Sequence, residues 1–215
     1  MVVIGRGQLV DPDFCNKAEA GKTEEIDYCV GCNQGCYDGF ESKDSPCITC
    51  LRNPAVGREK ECELIPAEKP EKVLIAGGGI GGLEAAIILK KRGHNPILCE
   101  ATDTLGGQFL TAGEAPRKAE MKAAVLSMAE KAKRLGVDIR MNTKVTPEMI
   151  ADIKPHTFIN AIGAAPIVPP IPGNDKAFVV DSHAVLNGEA KAEGNVVVIG
   201  GGMVGMEVAE YLSEK

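Results

Sequence analysis

The feature that most constrains this chain is a strand, a glycine turn and a helix start, written twice. Val73-Leu74-Ile75-Ala76 runs into Gly77-Gly78-Gly79-Ile80-Gly81-Gly82 and then Leu83-Glu84-Ala85-Ala86. Val197-Val198-Ile199 runs into Gly200-Gly201-Gly202-Met203-Val204-Gly205 and then Met206-Glu207-Val208-Ala209. Both fit G-x-G-x-x-G. Gly77 allows the tight turn, Gly79 lets backbone approach a pyrophosphate, and Gly82 lets the helix pack closely on its strand. Gly200, Gly202 and Gly205 repeat the pattern. Free N–H groups at the helix start, with the dipole behind them, favour a phosphate there. Two such units predict two dinucleotide sites.

The surrounding pattern is that of an α/β fold. Leu83, Ala86, Ile87 and Leu89 give a helical stripe that closes at Gly93, and Pro96 to Glu100 reads as the next strand. Glu100 at its end can accept both ribose hydroxyls and would repel a 2′-phosphate. Between Arg117 and Leu135, Met121, Ala124, Val125, Met128, Ala132 and Leu135 recur at helical spacing. Val137–Met141 and Thr157–Ala161 read as strands, and Thr146-Pro147 as a capped helix start. Strands alternating with helices predict a mainly parallel sheet. The second unit has no acidic residue about 20 positions on, because the sequence stops at Lys215, so NADH and NADPH are not distinguished.

Composition removes several classes of function. A net charge of −6, aromatics at only 4% and no Trp leave no stacking surface or basic patch for nucleic acid. No apolar run approaches the roughly 20 residues that span a bilayer. The start lacks a secretory signal, so a cytoplasmic location is expected. In that compartment clustered cysteines are metal or cluster ligands before they are disulfides. Of the 8 cysteines, those at 29, 32, 36, 47, 50 and 62 crowd one stretch with little hydrophobic periodicity. Cys29-x-x-Cys32-x-x-x-Cys36 followed by Cys47-x-x-Cys50 can hold an iron–sulfur cluster or a four-Cys zinc. Spacing alone leaves that choice open.

Several stretches together carry a resemblance. Gly5-Arg6 with Asp11-Pro12, Asn16-Lys17-Ala18, Cys29-Val-Gly-Cys32-Asn33-Gln34-Gly-Cys36, and Cys50-Leu-Arg-Asn53-Pro54 resemble the iron–sulfur flavoenzymes of the old yellow enzyme class. That group includes the 2,4-dienoyl-CoA reductase, 2-enoate reductase and trimethylamine dehydrogenase types. The resemblance implies a 4Fe–4S cluster on Cys29, Cys32, Cys36 and Cys50, with Cys50 favoured over Cys47 because it precedes x-x-Asn-Pro. It implies that Val2–Arg6 is the last strand of a TIM barrel, with Gly5 and Arg6 at the FMN phosphate. The Gly77–Glu100 unit would bind FAD, with Gly107 and Gln108 in the loop that runs past the flavin and Gly163 in a further turn beside it.

The organisation so implied is the end of an FMN-binding barrel over 1–28, a 4Fe–4S segment over 29–65, the first part of an FAD domain over 66–193, and the start of an NAD(P)H domain from 194 to 215. FMN would be held mostly by barrel outside this sequence, which is expected to be truncated at both ends. The implied reaction takes NAD(P)H electrons through FAD and the cluster to FMN, for reduction of an activated C=C bond in an enoate or enoyl-CoA. Alternatives are an amine dehydrogenase of the same family, a non-catalytic zinc- or cluster-containing dinucleotide-binding module, and a glutamate-synthase-small-subunit type flavoprotein, which a barrel strand at Gly5-Arg6 opposes. Catalytic acids and carbonyl-binding groups would lie in the barrel, so none is assigned here. The chain alone is expected to bind nicotinamide poorly and to turn over no substrate; homo-oligomerisation is left open.

The remaining residues have plain readings. His94, His156 and His183 lack ligand spacing and read as surface or satisfied loop groups. Cys99 reads as a small buried hydrophobe, and Cys15, Cys47 and Cys62 as spare thiols. Lys131, Lys133 and Arg134 read as a solvated helix face.

Overall fold

The computed structural model describes residues 2–44 and 47–215. Its centre is a parallel sheet of four strands in the order β3-β2-β1-β4: β1 (Lys72–Ala76), β2 (Asn95–Cys99), β3 (Asp138–Arg140) and β4 (Thr157–Asn160). Leu74 pairs with Ile97 on one side and Phe158 on the other. β1 takes the interior place because Val73 to Ala76 are apolar throughout and buried, as a strand covered on both faces requires.

Helices precede and follow this sheet. α1 (Arg6–Val10), α2 (Phe14–Glu19), a 3-10 turn (Thr23–Glu25) and α3 (Tyr37–Glu41) belong to the first 65 residues, whose other described residues are loops. α4 (Ile80–Lys91) and α6 (Ala119–Arg134) flank α5 (Gln108–Ala112), and α7 (Pro147–Ile153), α8 (Ser182–Leu186) and α9 (Met203–Ser213) follow. α4 and α6 pack together over the sheet. Leu83, Ala86 and Ile87 of α4 meet Val125, Ala129 and Ala132 of α6 in one buried cluster with Leu98. The alanines let the helix axes approach, and the apolar stripe is the one the 3.6-residue period predicts. Thr146 caps α7, its hydroxyl accepting the Met149 N–H at 3.3 Å, with Pro147 at the first position.

Two expected strands do not form. Val2 and Val3 are 86% and 87% exposed, and Val197 and Ile199 are 86% and 70% exposed. A strand is held by hydrogen bonds to neighbours, and none runs beside these segments among the described residues. Residues 2–4 therefore show no barrel strand here, although α9 does follow the second glycine turn. Among the described residues no helix is long and apolar enough to cross a membrane.

Candidate dinucleotide and cysteine-loop sites

The first glycine turn lies at the carboxyl end of β1. Gly77 is left-handed at φ 106°, and a Cβ there would stand 2.3 Å from the Ala161 carbonyl oxygen. Gly79 caps α4, and its missing Cβ would meet nothing nearer than the Cα of Gly107 at 4.0 Å, so the helix start opens onto free space. That combination of a tight turn below and room above suits a pyrophosphate.

Other predicted flavin residues converge on the same edge. Glu100, just past β2, accepts the Gly78 N–H on Oε2 at 2.7 Å, and the Thr102 N–H and hydroxyl on Oε1 at 2.8 and 2.9 Å. These bonds fix the carboxylate while leaving lone pairs for ribose hydroxyls. The Gly106 N–H donates to the Gly78 carbonyl at 2.9 Å, which lays Gly107 against the turn. Gln108 donates through Nε2 to the Ala164 carbonyl, joining that loop to the turn containing Gly163, itself left-handed at φ 74°. Gly77, Gly79, Gly82, Glu100, Gly107, Gln108 and Gly163 thus gather outside the carboxyl ends of β1, β2 and β4, where open α/β sheets bind ligands.

The second turn copies the first in backbone conformation. Gly200 has φ 109°, and Gly202 caps α9 at φ −80°, ψ −176°, beside −74° and −174° at Gly79. Its helix is tied to the first domain: Glu207 pairs with Lys118, and Glu210 and Glu214 pair with Arg117. The sequence gives no direct signal for these pairs, since charged partners 89 or more positions apart follow no local period.

Backbone and side-chain hydrogen bonds bring the loops of the cysteine segment together. The Thr49 N–H donates to the Gly35 carbonyl at 2.8 Å, bringing the Cys36 loop against the Cys50 loop. Arg52 donates through Nη1 to the Tyr28 carbonyl at 2.7 Å, bringing the Cys50 loop against Cys29. The Gly31 N–H donates to the Cys29 sulfur at 3.4 Å. Asn53 anchors the segment further back, donating to the Leu9 carbonyl at 2.8 Å. Cys29, Cys36 and Cys50 are half-buried and Cys32 is exposed. Among the described residues no three potential ligands converge closely enough to grip a single ion. The donor set and the short loops suit a cluster whose irons are ligated separately.

Arg6 lies in a surface cleft with Gly5, Gly7, Cys29 and Gly31, and its Nη1 donates to Asn33 Oδ1 at 2.5 Å. Gly5 and Arg6 are therefore beside the cysteine loop rather than near the first glycine turn. Asp11, 3% exposed, accepts Lys17 Nζ at 2.6 Å and the N–H groups of Asp27 and Asp13 at 2.9 and 3.1 Å. Burial pushes its pKa up, but Lys17 and the backbone donors outweigh this and hold the carboxyl below its ordinary value. Burial likewise pushes the Cys99 thiol up, so it stays protonated and inert.

One plain reading needs adjusting and another holds. Lys131 is bonded to Asp27 at 2.6 Å and Arg134 donates to the Glu24 carbonyl at 3.3 Å, so this end of α6 is a docking face; Lys133 pairs only with Glu130 of its own helix. His94 and His156 do serve as satisfied loop groups, each accepting on Nδ1 from the start of β1, at Glu71 and Lys72.

Comparison with known proteins agrees with this geometry. Residues 71–215 match the family model described as pyridine nucleotide-disulphide oxidoreductase. A bilirubin reductase of Mediterraneibacter gnavus is 41% identical across 100% of this chain and 33% of its own length. A metal reductase of Desulforamulus reducens is 38% identical over 98% of the chain and 32% of its own length. The solved 2-naphthoyl-CoA reductase superposes with a TM-score of 0.91 at 31% identity, covering 97% of this chain and 32% of that one. The chain thus spans about a third of the length of the relatives it matches.

Proposed function

Since the chain belongs to the pyridine nucleotide-disulphide oxidoreductase family, in its old yellow enzyme-related, FAD-dependent branch, we propose that it relays electrons from NAD(P)H through FAD and a 4Fe–4S cluster toward FMN. The terminal reaction in this reading is reduction of an activated C=C bond in an enoate or enoyl-CoA. Support comes from relatives named as reductases of bilirubin, cinnamate and 2-naphthoyl-CoA. Relatives named as dehydrogenases of N,N-dimethylglycine/sarcosine and of histamine keep amine oxidation as the second reading.

The observation that carries the proposal is the gathering of Glu100, Gly107, Gln108 and Gly163 around the Gly77–Gly82 turn. When bound, FAD would accept a hydride and the cluster would take electrons singly, chemistry that cofactors rather than side chains ordinarily supply. The residues of this chain bind and orient. The α4 start holds the pyrophosphate, Glu100 takes the adenosine ribose, and the Gly107-Gln108 loop screens the flavin from water. Cys29, Cys32, Cys36 and Cys50 hold the cluster, and Gly200, Gly202 and Gly205 the pyrophosphate of NAD(P)H. Gly5 and Arg6 contribute to the FMN phosphate site. In this reading the substrate is a small molecule and neither nucleic acid nor membrane is a partner.

The dinucleotide assignment is tested by titrating the chain with FAD and with FMN and following quenching of flavin fluorescence. FAD is expected to bind at least 100-fold more tightly, since Glu100 and the glycine turn grip the part that FMN lacks. Equal affinities would remove the assignment.

A further inference from the structure

Two faces of α6 do different work. Val125, Ala129 and Ala132 pack on α4, which begins at the first glycine turn. From the flank of that stripe Lys131 reaches Asp27, two residues before Cys29. The other oxygen of that carboxylate accepts Arg52 Nη2 at 3.2 Å, and Arg52 lies two residues after Cys50. The Asp27 N–H is itself spent on Asp11 at 2.9 Å, so the backbone as well as the side chain is fixed. The side chains of Asp27, Arg52 and Lys131 are only 17%, 11% and 24% exposed, which separates them from surface ion pairs of little consequence. Lys91 of α4 stands beside them; burial and the Lys131 charge push its ammonium below the ordinary value, against Glu84 and Asp27.

We propose that Asp27 is a positioning residue: its carboxylate joins the Cys29 loop to the Cys50 loop through Arg52, and joins both to the dinucleotide domain through Lys131. Asp27 lies two residues before Cys29, and its carboxylate bonds both Arg52, next to the Cys50 loop, and Lys131 of α6. Replacing it leaves Arg52, Lys131 and Lys91 facing one another without their shared anion. The purpose of this latch, a constant separation between cluster and FAD, rests on the function proposed above; the latch itself is a matter of contacts.

The test uses the full chain carrying Lys131→Met, Lys131→Arg or Asp27→Asn. In the unloaded chain, amide exchange over residues 28–36 and 48–53 is expected to accelerate at least tenfold in K131M and D27N, with β1 and β2 unchanged, and to return to within twofold of the parent in K131R. After reconstitution with iron, sulfide and FAD, the flavin fluorescence lifetime is expected to lengthen in K131M and D27N at unchanged iron and flavin content. Unchanged exchange overturns the latch. Faster exchange with an unchanged lifetime in the loaded chain overturns the positioning role alone. Failure of the parent chain to take up iron and sulfide defeats the relay and the purpose assigned to Asp27, and is recognised separately from the exchange result.

Discussion

A Cβ built on Gly82 would stand 1.8 Å from the carbonyl oxygen of Gly77, and the same construction puts Gly205 1.9 Å from the oxygen of Gly200. In each unit the third glycine is what lets the helix start sit against the turn. At Gly81, by contrast, an added Cβ meets nothing within 4 Å. Gly82→Ala is expected to destabilise the domain by about 2 kcal/mol or more through overpacking against rigid backbone, and to abolish FAD binding. Gly81→Ala should leave folding intact. Thermal melts with and without FAD decide it.

Glu100 offers a polar test of the same site. Glu100→Gln keeps shape but removes the charge that accepts the Gly78 and Thr102 donors. Hydrogen bonds to charged groups contribute about 1.5–3 kcal/mol, so FAD affinity is expected to fall at least tenfold. Equilibrium dialysis of the variant measures it.

Asp11 makes attachment of the first segment sensitive to acid. Its carboxyl lies below the ordinary value in the folded chain, so its stabilisation is fully present above the unfolded value of about 3.9 and is lost as pH falls through the lower folded value. Amide exchange over residues 8–28 is expected to stay slow from neutral pH to about 4 and to rise below it. Asp11→Asn should show fast exchange already at neutral pH and little further change in acid.

The cysteines should separate by reactivity. Cys99, buried in β2 with its thiol pushed up, is expected to resist alkylation in the native chain and to react only on unfolding. Cys32 should be alkylated readily without a cluster and be protected once the cluster is built. Mass mapping after limited alkylation reads both.

Periodic and local signals were legible in the sequence. β1, α4, β2 and α6 follow apolar spacing, and the Thr146-Pro147 helix start follows side-chain capping. Val2–Ile4 and Val197–Ile199 carry equally apolar runs yet form no strand, because a strand depends on neighbours that local pattern does not supply. At the site, Gly77, Gly79, Gly82 and Glu100 could be read from one motif, and Gly107, Gln108 and Gly163 from resemblance. The contacts of Asp27 with Lys131 and of Arg117 with Glu210 span 104 and 93 positions and leave no trace in spacing, so Lys131 looked like solvent-facing charge until the fold placed an anion opposite it.

The central claim is that Cys29, Cys32, Cys36 and Cys50 hold a redox-active cluster next to a flavin site. Anaerobic reconstitution followed by iron and acid-labile sulfide determination tests it most directly. About four irons and four sulfides per chain are expected, lost in Cys50→Ser and kept in Cys47→Ser, with visible absorbance that bleaches on reduction. Stoichiometric zinc without sulfide, or iron retained in Cys50→Ser and lost in Cys47→Ser, would contradict it.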